Sequence, residues 1–512
     1  MSRTGRFLSG VGLGYFNLAL LTLAGIWLTP FLLNRIGKHD YGLWLTGTQL
    51  ISYLMLMDCG VVALLPRETA YAAGRAGSLE RATDLAVLIG QTGRLVLWQL
   101  PFVVVAASVV WFSIPAAWEA IYGPLGLAIL TLVAMFPLRI FSAVLQGVQD
   151  LAFLGYVQIF TWVVGTALMV VLVLRGCGLY ALALGWASSQ ILTACVCWYR
   201  LPRRFPNALP RRLPALSWTA ARAYLGRGMW VSVAQVAQVM LNGTDILIIS
   251  YLLGPAAVVP FVLTGKLVAV LSNQPQVLMQ ASFPALSEMK AGESSGRILQ
   301  ACNALTQAML MLSGAVVCVI VVVNEGFVSW WVGADQYGGL ALTTLLLLSM
   351  LLRHWKDTAV AALLAFGYER RISLTHLLDG LVTIGSSVIF VRLLGPIGAP
   401  LGSLLGVGLV SLPGNLSVLA RETGVSLITL LAPYWAWCQR FVLGVAVATA
   451  IAKLSVPNGV LALVSTAMAA GTVYFAFMLP VALRPPLGVY LGPRLALVRM
   501  KLFAALRSSH LA

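Results

Sequence analysis

The sequence predicts an all-α polytopic membrane protein of about fourteen transmembrane helices: two repeated halves of six helices, followed by two more. Three observations predict this class: the composition, a series of long apolar segments, and residues that recur at a fixed separation. Of the 512 residues, 60% are hydrophobic and 10% are charged, and the mean hydropathy is +0.91. Soluble domains carry about 25% charged residues, so the composition excludes an ordinary globular protein.

Each predicted helix corresponds to an apolar segment long enough to cross the roughly 30 Å of membrane hydrocarbon. The first apolar run is too long for the hydrophobic region of a signal peptide, so we expect it to act as an uncleaved first span. The predicted spans are residues 7–33, 41–65, 95–112, 125–145, 151–174, 179–199, 229–253, 256–283, 298–323, 340–366, 372–394, 399–420, 435–452 and 460–483.

Basic residues are concentrated in alternate loops. With the N-terminus inside, the inner loops and tails hold about 22 of the 33 Lys and Arg residues, and the outer loops hold about five. This asymmetry predicts that both termini are cytoplasmic. Residues 200–227 contain seven arginines, four prolines and no acid, which predicts a cytoplasmic hinge beside anionic head groups, although a plain basic loop has the same composition. Because the net charge of +17 sits in loops and tails rather than on one solvated face, we expect no nucleic-acid partner.

Several residues recur in the second half of the chain. Leu45-Thr46-Gly47 reappears as Leu263-Thr264-Gly265. Pro66 and Pro284 are the same number of residues apart, as are Gly74 and Gly292. Two further pairs, Gly147 with Gly367 and Gly178 with Gly398, are separated by two residues more. Six spans lie between the copies, so both enter the membrane from the same side, as in the parallel repeats of alternating-access transporters. The predicted domains are residues 1–199, the hinge 200–227, residues 228–421, the extra spans 434–483 and a basic tail 484–512.

Residues 15–60 read YFNLALLTLAGIWLTPFLLNRIGKHDYGLWLTGTQLISYLMLMDCG. This stretch resembles the start of bacterial polysaccharide flippases of the multidrug/oligosaccharidyl-lipid/polysaccharide exporter superfamily, and the repeat layout and the two extra spans resemble its fourteen-span members. The resemblance implies two pseudo-symmetric six-helix bundles around a central cavity. It also implies a lipid-diphosphate-linked oligosaccharide as substrate, turned over from the cytoplasmic to the outer face of the bacterial inner membrane, and other polysaccharide assembly proteins as partners.

Span seven carries a row of polar side chains. Gln235, Gln238, Asn242 and Asp245 fall at steps of three, four and three, which places them on one face of a helix. The repeat maps Gln235 onto Asn17 in span one. Lipid does not tolerate such a row, so the side chains face either a hydrated cavity or hydrogen-bonding partners on neighbouring helices.

Span eight carries a second polar row, with the same two interpretations. Its members are Lys266, Asn273, Gln276 and Gln280. Pro275 lies among them and predicts a kink. The repeat maps Gln276 onto Asp58 in span two, so spans one, two, seven and eight all carry polar groups at equivalent places.

Charged residues inside predicted spans are the strongest indication of a binding site. Each unpaired charge in a membrane span costs about 2.5–3.5 kcal/mol on insertion scales, so such residues usually have a role. The basic candidates are Arg139, Lys266, Arg353 and Lys356, and the acidic ones are Asp58, Asp245, Asp357 and Asp379. Arg353 and Asp357 are four residues apart and are predicted to pair. The remaining positive charge suits a diphosphate, although a structural network of ion pairs fits the same pattern.

His376 and Asp379 lie three residues apart in span eleven, where the two side chains can meet. Such a pair is a candidate for proton or ion coupling, and equally for an ordinary polar contact.

The sequence contains no phosphate-binding glycine loop, no HExxH motif, no nucleophile elbow and no zinc-ligand spacing around its seven cysteines. We therefore expect a transporter with no catalytic residues, no metal and no cofactor. An ion-coupled multidrug exporter of the same superfamily remains an alternative, although drug cations favour an acidic cavity. A membrane glycan polymerase or ligase is disfavoured because the longest outer loop, 324–339, is short and carries only Glu325 and Asp335 as charges.

Overall fold

The computed structural model describes residues 3–74, 78–205, 209, 214, 218–276, 279, 286, 288–289, 295–454 and 456–490. Within these ranges it describes the backbone alone at residues 3–19, 73–74, 78–84, 219–220, 223–224, 227, 242 and 295. The described residues form helices and short connections, with no strand among them. The predicted all-α fold class is confirmed.

The first of two compact units comprises Met1–Val259. Its helices are α1 (Arg3–Ile36), α2 (Lys38–Leu54), α3 (Val61–Gly74), α4 (Ser78–Phe112), α5 (Glu119–Met135), α6 (Arg139–Gly147), α7 (Leu151–Leu174), α8 (Leu179–Arg204) and α9 (Trp218–Leu253). The helices α7 and α8 form a closely packed antiparallel pair, and α9 packs against α2 and α3.

The second unit comprises Pro260–Ala512, and the boundary between the units falls within α10 (Pro255–Thr264). The remaining helices are α11 (Lys266–Leu271), α12 (Ser295–Val332), α13 (Gly339–Ala365), α14 (Glu369–Leu394), α15 (Gly398–Gly406), α16 (Leu412–Thr423), α17 (Leu427–Leu431), α18 (Trp435–Leu454) and α19 (Val460–Ala482). A π-helical turn, Val407–Ser411, joins α15 to α16. The predicted domain boundaries stay a prediction.

The second predicted span is broken rather than continuous. The segments Lys38–Asp58 and Val61–Ala72 meet at an angle of 49°. Cys59 and Gly60 have φ values of 48° and 70°, and these left-handed conformations interrupt the helix. A Cβ atom on Gly60 would lie 2.6 Å from the carbonyl oxygen of Gly228, so the break packs directly against the backbone of α9.

The eighth predicted span is also broken, at Gly265, where Pro255–Thr264 and Lys266–Gln276 meet at 50°. Helix α11 ends at Leu271, four residues before Pro275. Because proline has no N–H to donate to the carbonyl of the fourth residue before it, this end agrees with the predicted kink. The sequence did not predict the break at Gly265.

The two C-terminal helices pack against α12 in the second unit. The hydroxyl of Tyr434 donates to Asn303 Oδ1 at 2.8 Å, and Trp437 Nε1 donates to the hydroxyl of Tyr474 at 3.4 Å. Gln307 is buried and fully used: its amide nitrogen donates to the carbonyl of Val481 at 3.0 Å and its amide oxygen accepts from the N–H of Leu487 at 2.9 Å. The bonds of Asn303 and Gln307 fix the start of α18 and the end of α19, which lie at the same end of the added helix pair, to α12.

Within the described part of the chain, eight helices are long and apolar enough to cross a membrane, or up to eleven if each bent pair is one span. The predicted count of fourteen stays a prediction. Large apolar side chains on the outer faces are exposed, as at Leu461, Met468 and Val473 of α19, which is what a lipid-facing surface requires. The chain is a multi-pass membrane protein.

Candidate functional site

The break between α2 and α3 holds the charged pair of the first unit. Asp58 is 3% exposed, and its carboxylate accepts the N–H of Gly60 at 3.0 Å. The guanidinium of Arg139, at the start of α6, approaches the same carboxylate at 3.7 Å and donates to the carbonyl of Met55 at 3.2 Å. Gln99 of α4 donates to the carbonyl of Asp58 at 2.9 Å. Arg139 thus neutralises Asp58 and satisfies a carbonyl that the helix end leaves free.

The second unit holds a larger network, centred on Arg353 of α13 and Asp379 of α14. The Asp379 side chain is fully buried, and Arg353 Nη1 lies 3.6 Å from its Oδ2. The Asp379 carboxylate also accepts hydrogen bonds from Ser411 at 2.6 Å and from Thr383 at 3.1 Å. Arg353 donates to Ser403 through Nε at 3.0 Å and through Nη2 at 2.7 Å. Three helices and the π-helical turn therefore share one buried ion pair.

The predicted pairing of Arg353 with Asp357 is wrong. Asp357 pairs with its neighbour Lys356, whose Nζ lies 2.9 Å from Asp357 Oδ1, and Arg353 pairs with Asp379 instead. The reason is the packing of the next helices, because residues four apart lie on the same face of a helix and could have met. Arg353 bonds to Ser403 of α15 and pairs with Asp379 of α14, whereas the Asp357 side chain is 30% exposed. The local spacing allowed the pair, and the packing of the next helices selected another.

The two histidines in this region have different surroundings. His354 is buried and Nδ1 lies 2.7 Å from the hydroxyl of Ser313. His376 Nε2 is buried, and no hydrogen-bond partner for it exists among the described residues. The structure places the Asp379 carboxylate on Arg353, Ser411 and Thr383, so the predicted contact between His376 and Asp379 does not form.

Lys266 differs from the other basic candidates. It is the first residue of α11, directly after the break at Gly265, and it is half-buried. No carboxylate in the described ranges forms an ion pair with it, whereas Arg139, Arg353 and Lys356 each have one.

The polar rows of spans seven and eight are only partly brought together. Gln235 is half-buried and its Oε1 has no hydrogen-bond partner among the described residues, Gln238 is exposed, and Asp245 is half-buried and takes part in an electrostatic interaction. Asn273 is exposed and donates to the carbonyl of Ala269 at 3.2 Å, and Gln276 is half-buried. Asn17, Asn242 and Gln280 lie outside the residues whose side chains the structure describes.

Sequence reasoning missed the uncharged members of the second network. Ser403 and Ser349 share a hydrogen bond of 2.7 Å, and Ser403 also accepts from Arg353. Gly406 leaves room for the network, because a Cβ atom there would collide with Thr383 Oγ1 and Asp379 Oδ1. Serine and glycine are common in transmembrane helices, so single occurrences carry little signal. The Gly402-Ser403…Gly406 spacing on one helix face was the available indication of close packing.

The arrangement supplies fixed positive charge and buried hydrogen-bonding groups. Within the described ranges, no group of three or more His, Cys, Asp or Glu side chains is placed to hold a metal ion. Of the four predicted basic candidates, three have acidic partners. Such groups can bind an anionic head group when their partners are exchanged or, at Lys266, directly.

The helical fold of the chain matches the folds of several solved structures. The lipid II flippase MurJ, in an inward closed conformation, matches with a TM-score of 0.62 and 10% identity, over 91% of this chain and all of that chain, 100%. An inward-facing multidrug resistance MATE family transporter of the MOP superfamily matches with a TM-score of 0.53 and 16% identity, over 80% of this chain and 94% of that chain. A MATE protein in complex with MaL6 matches with a TM-score of 0.51 and 16% identity, over 80% of this chain and 96% of that chain. At these identities the likeness shows the fold.

A sequence comparison adds the more particular assignment. The family model described as polysaccharide biosynthesis protein matches residues 97–341. A search of curated proteins finds no match. The resemblance predicted from the sequence is confirmed: residues 97–341 are similar to polysaccharide biosynthesis proteins, and the chain shares its fold with MurJ and with MATE transporters.

Proposed function

We propose that this protein is a flippase that turns a lipid-diphosphate-linked oligosaccharide from the cytoplasmic to the outer face of the bacterial inner membrane by alternating access. The observation that carries the proposal is the match of residues 97–341 to the polysaccharide biosynthesis family, on a fold that MurJ shares. The lipid-linked oligosaccharide and membrane lipids are the proposed partners, together with other polysaccharide assembly proteins.

The charges of the helices support an anionic lipid-linked substrate. A diphosphate that leaves water loses hydration worth many kcal/mol, and fixed cations in a region of low dielectric offset part of that loss. Lys266 is the first candidate because it is half-buried and lacks an ion-pair partner within the described residues. Its position directly after Gly265 also places the ammonium group at a bend, where the backbone can move.

The other cations are ranked lower because their carboxylate partners already hold them. Arg139 has the more exposed guanidinium, with 30% of its side chain accessible, and its 3.7 Å separation from Asp58 is loose for an ion pair. Arg353 is 15% exposed in its side chain and makes two hydrogen bonds to Ser403 besides its ion pair. Lys356 is buried against Asp357 at 2.9 Å. A diphosphate therefore displaces a partner more easily from Arg139 than from Arg353 or Lys356.

Substitution of Lys266 tests the proposed substrate class. Lys266→Gln should reduce glycan export at least tenfold in a flippase-deficient strain, while immunoblots of membrane fractions show unchanged protein. Lys266→Arg should retain more export than Lys266→Gln, because the position requires charge more than a particular geometry. Lys453→Gln is the matched control, since Lys453 is an exposed lysine at the end of α18. Full export by Lys266→Gln at a normal protein level removes Lys266 from the site.

A multidrug exporter is the second candidate function, favoured by the MATE matches over 80% of the chain. The same strain set separates the two functions. A flippase restores glycan export and leaves resistance to cationic drugs unchanged, whereas an exporter of drugs raises resistance and does not restore the glycan. Drug resistance without glycan export contradicts the flippase proposal directly.

The proposed topology places both termini and the loop 200–227 in the cytoplasm. Single cysteines at positions 204 and 335, in a version of the protein without its own cysteines, report the side of each loop. An impermeant thiol reagent on intact cells should label position 335 and leave position 204 unlabelled. The reverse pattern contradicts the whole topology.

A further inference from the structure

Two polar side chains of the second unit have buried hydrogen-bonding atoms that are unused. Asn415 of α16 is 0% exposed, and neither its Oδ1 nor its Nδ2 has a partner among the described residues. His376 of α14 is half-buried, and its Nε2 is buried without a partner in the same part of the chain. A buried polar atom without a hydrogen bond is strongly unfavourable, so these atoms call for a partner.

Helix register places these groups in one layer. Ser411 bonds to Asp379, and Asn415 lies one turn further along on the same face of α16. Gly414 packs against Thr375, the residue before His376, with 3.7 Å between a Cβ built on Gly414 and the Thr375 methyl group. Lys356 and Asp357 lie about one turn beyond Arg353 on α13, and both interact electrostatically with His376. We call Lys356, Asp357, His376 and Asn415 the polar layer.

The charges that face this layer are already balanced. Lys356 is paired with Asp357, and Arg353, which also acts on His376, is paired with Asp379. A further ligand therefore needs no charge, but it must accept from the Asn415 amide nitrogen and also offer a donor to its oxygen. A water molecule does both, and buried waters typically make about three such bonds to polar groups that protein atoms leave unsatisfied.

We infer that the polar layer is a water-binding site inside the second unit, in which bound water bridges Asn415, His376 Nε2 and the Lys356–Asp357 pair. Asp357 is the entry side, because 30% of its side chain is exposed while Lys356 and Asn415 are closed off. The bound water connects α13, α14 and α16 without direct side-chain contacts. Bridging water allows the three helices to shift by a fraction of a turn while each polar atom keeps a hydrogen-bond partner.

Radiolytic oxidation with oxygen-18 water tests the site directly, with an internal control. Hydroxyl radicals formed from bound water oxidise the side chain beside it. The label that His376 incorporates should fall at least fivefold in Asn415→Leu, whereas His354, which is bonded to Ser313, should incorporate the same amount in both proteins. The comparison is made within His376 because this side chain is half-buried and His354 is buried. Equal labelling of His376 in the wild-type and Asn415→Leu proteins, each full-length in nanodiscs, overturns the inference.

The thermal stability of Asn415→Leu provides an independent test, because a hydrated layer and a dry layer predict changes of Tm in opposite directions. If water bridges the layer, the substitution removes a hydrogen-bonded amide and lowers Tm by about 2–4 °C. If the layer is dry, replacement of an unsatisfied amide by an apolar side chain raises Tm, and the inference is wrong. Asn324→Leu is the reference for the loss of a hydrogen-bonded amide, since the Asn324 amide nitrogen donates to the carbonyl of Thr264 and to the hydroxyl of Thr343 at 3.0 Å each.

A bound monovalent cation is the competing ligand. A water site predicts the same Tm in sodium chloride and in choline chloride at equal ionic strength. A rise of several degrees in sodium that Asn415→Leu abolishes assigns the layer to a cation and contradicts the water site.

Discussion

The two repeated halves join equivalent helices by different chemistry. In the first half, Thr193 of α8 donates to Thr161 of α7 at 3.2 Å, and both side chains are uncharged. By order along the chain, the helices that correspond to α7 and α8 are α14 and α15, and the π-helical turn that contains Ser411 directly follows α15. In the second half, Ser411 therefore donates to a buried carboxylate, at 2.6 Å, where the first half has a hydroxyl.

The comparison shows that the buried acid and its base occur together. The first residues of α5 and α13 are as many residues apart as Gly147 and Gly367. At this separation, Arg353 corresponds to Val133, an apolar residue. A lone carboxylate at Asp379 or a lone guanidinium at Arg353 would be a buried uncompensated charge, which is strongly unfavourable. At these positions, only the second half has an acid, Asp379, and only the second half has a base, Arg353. The difference between the halves is thus one paired feature rather than two separate substitutions.

The largest expected effect comes from breaking this pair. Asp379→Ala leaves Arg353 buried with only Ser403 to accept its hydrogen bonds, and should destabilise the protein by about 3–5 kcal/mol. Thermal unfolding of the detergent-purified protein, followed by fluorescence-detected chromatography, measures the loss.

The double variant Arg353→Met/Asp379→Thr makes the second half resemble the first and serves as the control. It should recover most of the stability that Asp379→Ala loses, because no charge is left unpaired. If the double variant is as unstable as the sum of the single ones, the comparison between the halves is wrong.

Close packing beside the pair gives the next effect. Gly406→Ala places a methyl group against Thr383 Oγ1 and Asp379 Oδ1, and should reduce stability by about 1–3 kcal/mol. Gly165→Ala is the corresponding close-packing change between α7 and α8 in the first half, where the methyl group meets the hydroxyl of Ser189 and the carbonyl of Gly185. Because Gly406→Ala also pushes a charged group off its partners, it should lower Tm more than Gly165→Ala. The opposite order would show that the ion pair adjusts more easily than the hydroxyl contact.

The smallest effect belongs to the uncharged contact. Thr193→Val removes the hydroxyl contacts to Thr161 and, within α8, to the carbonyl of Ser189 while keeping the side-chain volume, and should cost about 1 kcal/mol. Ser411→Ala removes the hydroxyl that bonds to Asp379 in the second half, and should cost about 1.5–3 kcal/mol because its partner is charged. Equal shifts of Tm for the two variants would contradict the assigned difference in chemistry.

Much of the helical framework could be predicted from the sequence, because apolar length is a local property. The predicted fifth span, residues 151–174, has the bounds of α7, and the last predicted span, 460–483, differs from α19 by one residue. The break of the second span at Cys59 and Gly60 was not predicted, although the sequence has a glycine at this point. Its cause is the close approach of Gly228, which is distant in the sequence and which no local pattern records.

The pairing of the site residues could not be predicted for the same reason. Spacing along α13 suggested Asp357 for Arg353, and the actual partner, Asp379, lies on the next helix. The identity of the charged residues was predicted from the cost of placing them in a membrane, which depends on residue type alone. Which of them are neutralised depends on how helices rotate against one another. The use of Lys266 and the other candidates in transport stays a prediction.

The hydrogen bonds of Gln307 and Asn303 affect how the chain is made. Both side chains lie on α12, but their partners are 174, 180 and 131 residues further along the sequence. At a synthesis rate of about 5–20 residues per second, the 131 residues from Asn303 to Tyr434 take about 7–26 s, so α12 waits that long for the first of these contacts. During that interval its amides face lipid or the insertion machinery. A ribosome that stops before Tyr434 therefore leaves a membrane segment with unsatisfied polar groups, which marks the unfinished chain for membrane quality control.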